Sequence, residues 1–143
     1  MNAQPDNVTL DSTPSQPPLT PAARRFLEQT TMKSIFGISD EVLDAVMALA
    51  YQLYRIGRYP EAEVLCRGLV AADHTYWWSY SLYAATLRRL GRLSEALVAL
   101  DKGLAHEPNE PKLLFMRDEI RQALARREES SPSLPTPNPR AAA

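Results

Sequence analysis

One pattern of residues is written twice in this chain. Gly57, Tyr59, Glu61 and Ala62 are answered 34 positions later by Gly91, Leu93, Glu95 and Ala96, and Ala50 is answered in the same way by Ala84. A small residue lets two helices approach closely, and glycine ends a helix in a left-handed turn at no steric cost. Each copy therefore reads as a helix, a tight turn and a returning helix that crosses the first at an alanine. Several positions agreeing at one offset restrict the chain to stacked helical hairpins, in which each unit packs only on its neighbours.

A 34-residue period of this kind is that of the tetratricopeptide repeat. The expected fold is all-α: a helical hairpin solenoid with repeats at 43–76 and 77–110, an N-terminal helix, and a capping helix at 110–128 that solvates the open end. The whole repeat domain spans 37–128. Thr20 before Pro21 is a helix start, and that helix is expected to run past Phe26, Leu27 and Met32 to Ile35 or Phe36, where Gly37 stops it. Ser39 caps the next, with Asp40 and Glu41 in its first turn and Leu43, Val46, Leu49, Ala50 and Leu53 on its apolar side. After Gly57, Pro60 opens a helix carrying Ala62, Leu65, Cys66 and Leu69. The second repeat turns Tyr80, Tyr83, Ala84 and Leu87 inward, then Ala96, Leu97, Leu100 and Leu104. Asn109 is the expected cap of the last helix, whose inner side is Leu113, Leu114, Met116, Ile120 and Leu124. The stretches 1–20 and 129–143 hold most of the 12 prolines among small polar residues, and are expected to be disordered for want of apolar surface.

Composition excludes more than it identifies. A net charge of −1 gives no bulk field favouring nucleic acid or anionic lipid. No run approaches the ~20 apolar residues of a membrane span, and the single cysteine, Cys66, rules out an internal disulfide framework. These features suit a soluble cytoplasmic protein. Cys66 sits where this repeat packs, so it reads as a buried small hydrophobe rather than a nucleophile. His74 and His106 fall at the ends of second helices, and neither has a His, Cys or carboxylate at metal-ligand spacing, which leaves helix-end solvation or a dipole contact. There is no phosphate loop, G-x-S-x-G or H-E-x-x-H. Neither catalysis, nor a metal, nor a cofactor is indicated.

Binding is. Stacked hairpins leave a concave face lined by the first helix of each repeat. Counted from Leu43, its places fall on Asp44, Met47, Ala48, Tyr51, Tyr54 and Arg55; counted from Trp77, they fall on Trp78, Ser81, Leu82, Ala85 and Arg88. The last helix adds Lys112, Phe115, Met116 and Glu119. Aromatic and methionine side chains there offer a peptide apolar pockets, with arginine at the rim; the alternative is that Met47, Tyr51 and Phe115 only fill space between helices. Trp77 and Trp78 are adjacent, so both cannot face one core, and one is expected to be exposed. The carboxylate clamp by which some repeat modules grip acidic chain ends needs lysine, asparagine and arginine. The equivalent places here read Met47, Tyr51, Leu82, Lys112 and Met116, and only Lys112 fits.

The run Ile38-Ser39-Asp40-Glu41, the phrase from Ala50 through Arg55-Ile56-Gly57-Arg58 to Tyr59, the step Asp73-His74 in place of the usual Asp-Pro, and Leu90-Gly91-Arg92 together resemble a known family. These are the tetratricopeptide chaperones of type III secretion systems, in particular the class II chaperones of translocator proteins. The resemblance covers about Gly37 to Pro108. It implies a cytoplasmic chaperone without ATPase activity that holds a secreted protein soluble by clasping a P-x-L-x-x-P segment in its groove. It also implies a homodimer or heterodimer formed through the N-terminal helical region, here Pro21 to Phe36. The family usually has three repeats and this chain has two plus a helix. The shorter groove implies a smaller hold on substrate, a need for dimerisation, or kinship with the smaller needle-subunit chaperones. The tail Pro132-Ser133-Leu134-Pro135-Thr136-Pro137 itself has the P-x-L-x-x-P form; proline richness alone accounts for this by chance, and occupation of its own or a neighbour's groove is the other reading. A general repeat adaptor joining two folded proteins is the alternative function.

Overall fold

The computed structural model describes residues 18–131, and the expectations for 1–17 and 132–143 lie outside it. The chain divides after Thr30 into two compact units. In the first, Thr20 Oγ1 accepts a hydrogen bond from the Ala23 N–H at 3.2 Å and starts α1 (Pro21–Gln29). Phe26 and Leu27 of this helix are exposed.

The single helix expected from Pro21 to Phe36 is instead two. Thr30 is extended, and Thr31 caps α2 (Met32–Phe36), its Oγ1 accepting from the Ser34 N–H at 3.1 Å. Two adjacent threonines, stiff at χ1 and able to bond local backbone, favour a cap over a helix interior.

The second unit begins with α2, which Gly37 closes at φ 63°. Ser39 caps α3 (Asp40–Arg55) by accepting from the Val42 N–H at 3.3 Å. The hairpin α3/α4 (Tyr59–Ala72) and the hairpin α5 (Trp77–Arg89)/α6 (Leu93–His106) follow, and α7 (Pro111–Ser130) packs on α6. The two turns are built alike. Gly57 and Gly91 take φ of 82° and 77°, and the next N–H, of Arg58 or Arg92, donates to Leu53 O or Leu87 O at 2.9 Å. The duplicated glutamates then find their use: Glu61 pairs with Arg58 at 2.8 Å and Glu95 with Arg92, fixing each returning helix to its turn.

The alanines of the pattern, Ala50, Ala62, Ala84 and Ala96, are all fully buried. Around them lie two apolar clusters. One joins Ala50, Cys66, Leu69 and Leu82 with Leu43, Val46 and Leu65 packed against it. The other joins Tyr80, Leu87, Leu100, Leu104, Leu113 and Ile120 across α5, α6 and α7. Each wholly buried leucine or isoleucine stabilises the stack by roughly 1.5–3 kcal/mol.

Three local expectations change. Leu49 is not on the packed side of α3: it lies with Val42 and Ile56, at a spacing of seven residues, in an exposed apolar stripe. Glu110, not Asn109, caps α7, its carboxylate accepting from the Lys112 N–H at 3.3 Å. The helix continues to Ser130, tied back by Arg127 Nη1 donating to Gly91 O at 3.1 Å. Glu63, unremarked in the sequence, is buried where α4 meets the second hairpin and pairs with Arg67 at 3.2 Å and Arg92 at 3.3 Å.

Candidate functional site

The first helices of the hairpins and the start of α7 line one furrow of about 570 Å³. On α3 its lining is Asp44, Met47, Ala48, Tyr51 and Tyr54; on α5 it is Trp78, Ser81, Leu82 and Ala85; on α7 it is Lys112 and Met116. Positions i, i+3, i+4 and i+7 share one side of a helix, and each of α3 and α5 contributes such a stripe.

The floor is nearly closed to solvent, with Ser81 and Leu82 buried. Ser81 donates its hydroxyl to Trp78 O at 2.8 Å, so it asks no hydrogen bond of a ligand. Tyr51 and Trp78 stay open, 51% and 39% exposed. Trp77 packs against the core while its ring meets Trp78 edge-on at 5.0 Å, which divides the adjacent pair as expected. Lys112 Nζ lies 3.8 Å from the centre of the Trp78 ring, a cation–π contact that holds the indole at the furrow wall. Tyr54 is fixed by its edge contact with Tyr59 at 5.5 Å and by Arg89 Nε, which donates to its hydroxyl at 3.4 Å.

Four expected residues do not line the furrow. Arg88 and Glu119 pair with each other at 3.0 Å, bracing α5 against α7. Arg55 is exposed in the last turn of α3. Phe115 is 65% exposed beside Met116; one residue of helix is about 100° of rotation, which turns it off the furrow side. The furrow therefore offers an apolar trough with one carboxylate, Asp44, and one ammonium, Lys112, already engaged over Trp78. This does not make a clamp for an anionic chain end.

Cys66 is fully buried, and burial pushes its thiol from an ordinary 9.0 to about 11, which suits packing and not attack. Among the described residues no three His, Cys, Asp or Glu side chains gather as a metal site, and no helix is long and apolar enough to cross a membrane. The sequence reading missed a second furrow, of about 650 Å³, on the α4/α6 side. There His74 and His106 meet edge-on at 5.5 Å among Val70, Val98 and Lys102. Two histidines at the ends of successive second helices were the available signal, but nothing in one sequence says that those ends meet.

No protein-family model matches the chain, and no curated protein matches it. Solved structures do. A chain of a type III secretion complex from Aeromonas hydrophila aligns with 76% of this chain and 73% of its own at 24% identity and TM-score 0.68. The Yersinia enterocolitica type III secretion translocator chaperone SycD aligns with 70% of this chain and 75% of its own at 22% identity and TM-score 0.66. PcrH, solved with the chaperone-binding region of PopB, aligns with 62% of this chain and 72% of its own at 26% identity and TM-score 0.60. The fold is that of the tetratricopeptide translocator chaperones. The resemblance drawn from the short motifs between Ile38 and Arg92 therefore extends to the three-dimensional stack.

Proposed function

We propose that this protein is a non-enzymatic, cytoplasmic chaperone of a type III secretion system. It holds an extended segment of an exported translocator or needle-type protein in the α3/α5/α7 furrow. The observation that carries the reading is the furrow itself: Tyr51 and Trp78 stand open over a floor of Met47, Leu82 and Met116 in a fold shared with PcrH, which was solved with the chaperone-binding region of PopB. An extended segment with alternate apolar side chains buries them there, and a bound proline-rich segment loses little entropy because it is already extended. The lining has no basic cluster for nucleic acid: its charges are one carboxylate, Asp44, and one ammonium, Lys112.

Other surfaces are also available for self-association. The Val42, Leu49 and Ile56 stripe of α3, and the exposed Met32, Ile35 and Phe36 of α2, are apolar faces suited to a second copy or to a heterodimer partner, in the region 21–36 and just after it. A general adaptor is the second reading, and the α4/α6 furrow is the observation that favours it.

The test is a titration of the full chain with a fluorescein-labelled peptide carrying P-x-L-x-x-P and polar residues elsewhere, alongside identification of what co-purifies from the native host. Saturable binding lost in Met47→Glu, with an exported protein co-purifying, supports the chaperone. A co-purifying set of folded cytoplasmic proteins, with no peptide binding, supports the adaptor and refutes the chaperone.

A further inference from the structure

The furrow has an occupant within the protein's own sequence. We infer that residues 132–137 of one copy, Pro-Ser-Leu-Pro-Thr-Pro, dock in the α3/α5/α7 furrow of a second copy and hold it closed to clients until one displaces them. The inference rests on the peptide-binding reading above and concerns how that same site is regulated.

The chemistry of the two parts matches. Proline-rich segments with two prolines three apart dock on aromatic-lined grooves, because the segment is pre-extended and the rings supply flat apolar walls. Pro132 and Pro135 have that spacing, Leu134 supplies an aliphatic anchor, and the segment carries no charge before Arg140. The furrow supplies Tyr51, Tyr54 and Trp78 as walls and Met47, Leu82 and Met116 as floor. A neutral segment leaves neither Asp44 nor Lys112 with a buried like charge.

Reach decides between the copy's own furrow and its neighbour's. The last furrow residue of α7 is Met116, and the helix runs on through Ser130 to the extended Ser131. At about 1.5 Å of rise per residue, Ser131 stands roughly 22 Å along the axis from Met116. Leu134 follows three residues later and gains at most about 10 Å even fully extended. It therefore falls about 12 Å short of Met116 and cannot reach the floor of its own furrow. In a second copy no such limit applies, and two copies can exchange tails reciprocally, as a closed pair does.

The experiment uses the full chain. The labelled P-x-L-x-x-P peptide is titrated against the wild type and against Leu134→Asp. If about nine furrows in ten are filled by tails, the variant binds about tenfold more tightly, since apparent affinity scales with the open fraction. Because the block is bimolecular, the difference shrinks on dilution. Equal affinity in both proteins at high concentration overturns the inference while leaving the furrow reading intact. Absence of binding in both overturns the furrow reading and the inference with it. A difference that persists unchanged on dilution overturns the exchange between copies. As a second measurement, a benzophenone-bearing residue is placed at position 134 and mixed with ¹⁵N-labelled chain. Adducts on α3 or α5 peptides of the other isotope are expected; adducts only within one copy, or none on those helices, refute the proposal.

Discussion

Gly103 lies where α5, α6 and α7 come together, and adding one methyl group there tests whether that contact is as close as the structure has it. A Cβ at Gly103 would stand 3.0 Å from Leu113 Cδ1 and 3.1 Å from Tyr80 Cβ. The leucine methyl can swing aside, but the tyrosine Cβ is carried directly on the α5 backbone and cannot. Two effects oppose each other in Gly103→Ala. Alanine is favoured over glycine in a helix interior by about 1 kcal/mol, whereas overpacking a filled core costs roughly 1–3 kcal/mol. The clash wins, for a net loss of roughly 0–2 kcal/mol. Gly68, inside α4, provides the control, since a Cβ there meets nothing within 4 Å. Gly68→Ala should stabilise by roughly 0.5–1 kcal/mol. For about a hundred ordered residues, 1 kcal/mol shifts Tm by roughly 4–8 °C, so thermal melts followed by circular dichroism should separate the two variants by several degrees. Leu113 is next to Lys112, so Gly103→Ala should also weaken peptide binding while Gly68→Ala leaves it unchanged. Equal stabilisation by both substitutions would refute the close three-helix contact and the placement of Lys112 and Met116 that depends on it.

Tyr51→Ala should weaken binding of the labelled peptide about tenfold or more, as an exposed aromatic anchor does, with little change in Tm; Phe115→Ala, off the furrow, should change neither much, and anisotropy with melts of the same samples checks both. Glu63→Ala takes away the partner of Arg67, while Arg92 keeps Glu95 and both arginines reach solvent, so the loss should be about 1–2 kcal/mol rather than the larger figure for a fully buried pair; urea denaturation measures it. Cys66 holds its proton in the folded state up to about pH 11, above the ordinary 9.0 of an exposed thiol. Its contribution to stability is therefore fully present below pH 9 and is lost as pH rises from 9 toward 11, because the unfolded chain loses that proton first. At pH 8 a thiol reagent should react with the native protein only at the rate of unfolding, and prompt reaction would contradict the burial.

Much of the fold could be read directly because the repeat states its constraints twice. Gly57 and Gly91, Ala50 and Ala84, Ala62 and Ala96 each name a backbone or packing requirement that only a small residue meets, and their common offset makes chance a poor explanation. The caps at Thr20 and Ser39 were equally legible, since a hydroxyl before an apolar run bonds its own neighbours and needs no tertiary context. What escaped depends on which element lies opposite. Leu49 fits the apolar period of α3 as well as Val46 does, and only the position of α4 decides that Val46 is covered. Glu63 looks like any helical glutamate until Arg92, from the next hairpin, arrives beside it. The furrow residues on α3 and α5 followed from helical period alone. On α7, Lys112 and Met116 fix a side of the helix that Phe115 does not share. Arg88 and Glu119 both fall on groove-facing places by the repeat's count, and the structure pairs them with each other across α5 and α7.

Chemical-shift mapping of the ¹⁵N-labelled chain with the P-x-L-x-x-P peptide tests the central claim most directly. The account predicts that the Trp78 indole signal and the amides around Met47, Tyr51, Leu82 and Lys112 move together and saturate at one peptide per chain. Shifts centred instead on Val70, Val98 and His106, with the Trp78 indole unmoved, would contradict it and transfer the binding function to the α4/α6 furrow.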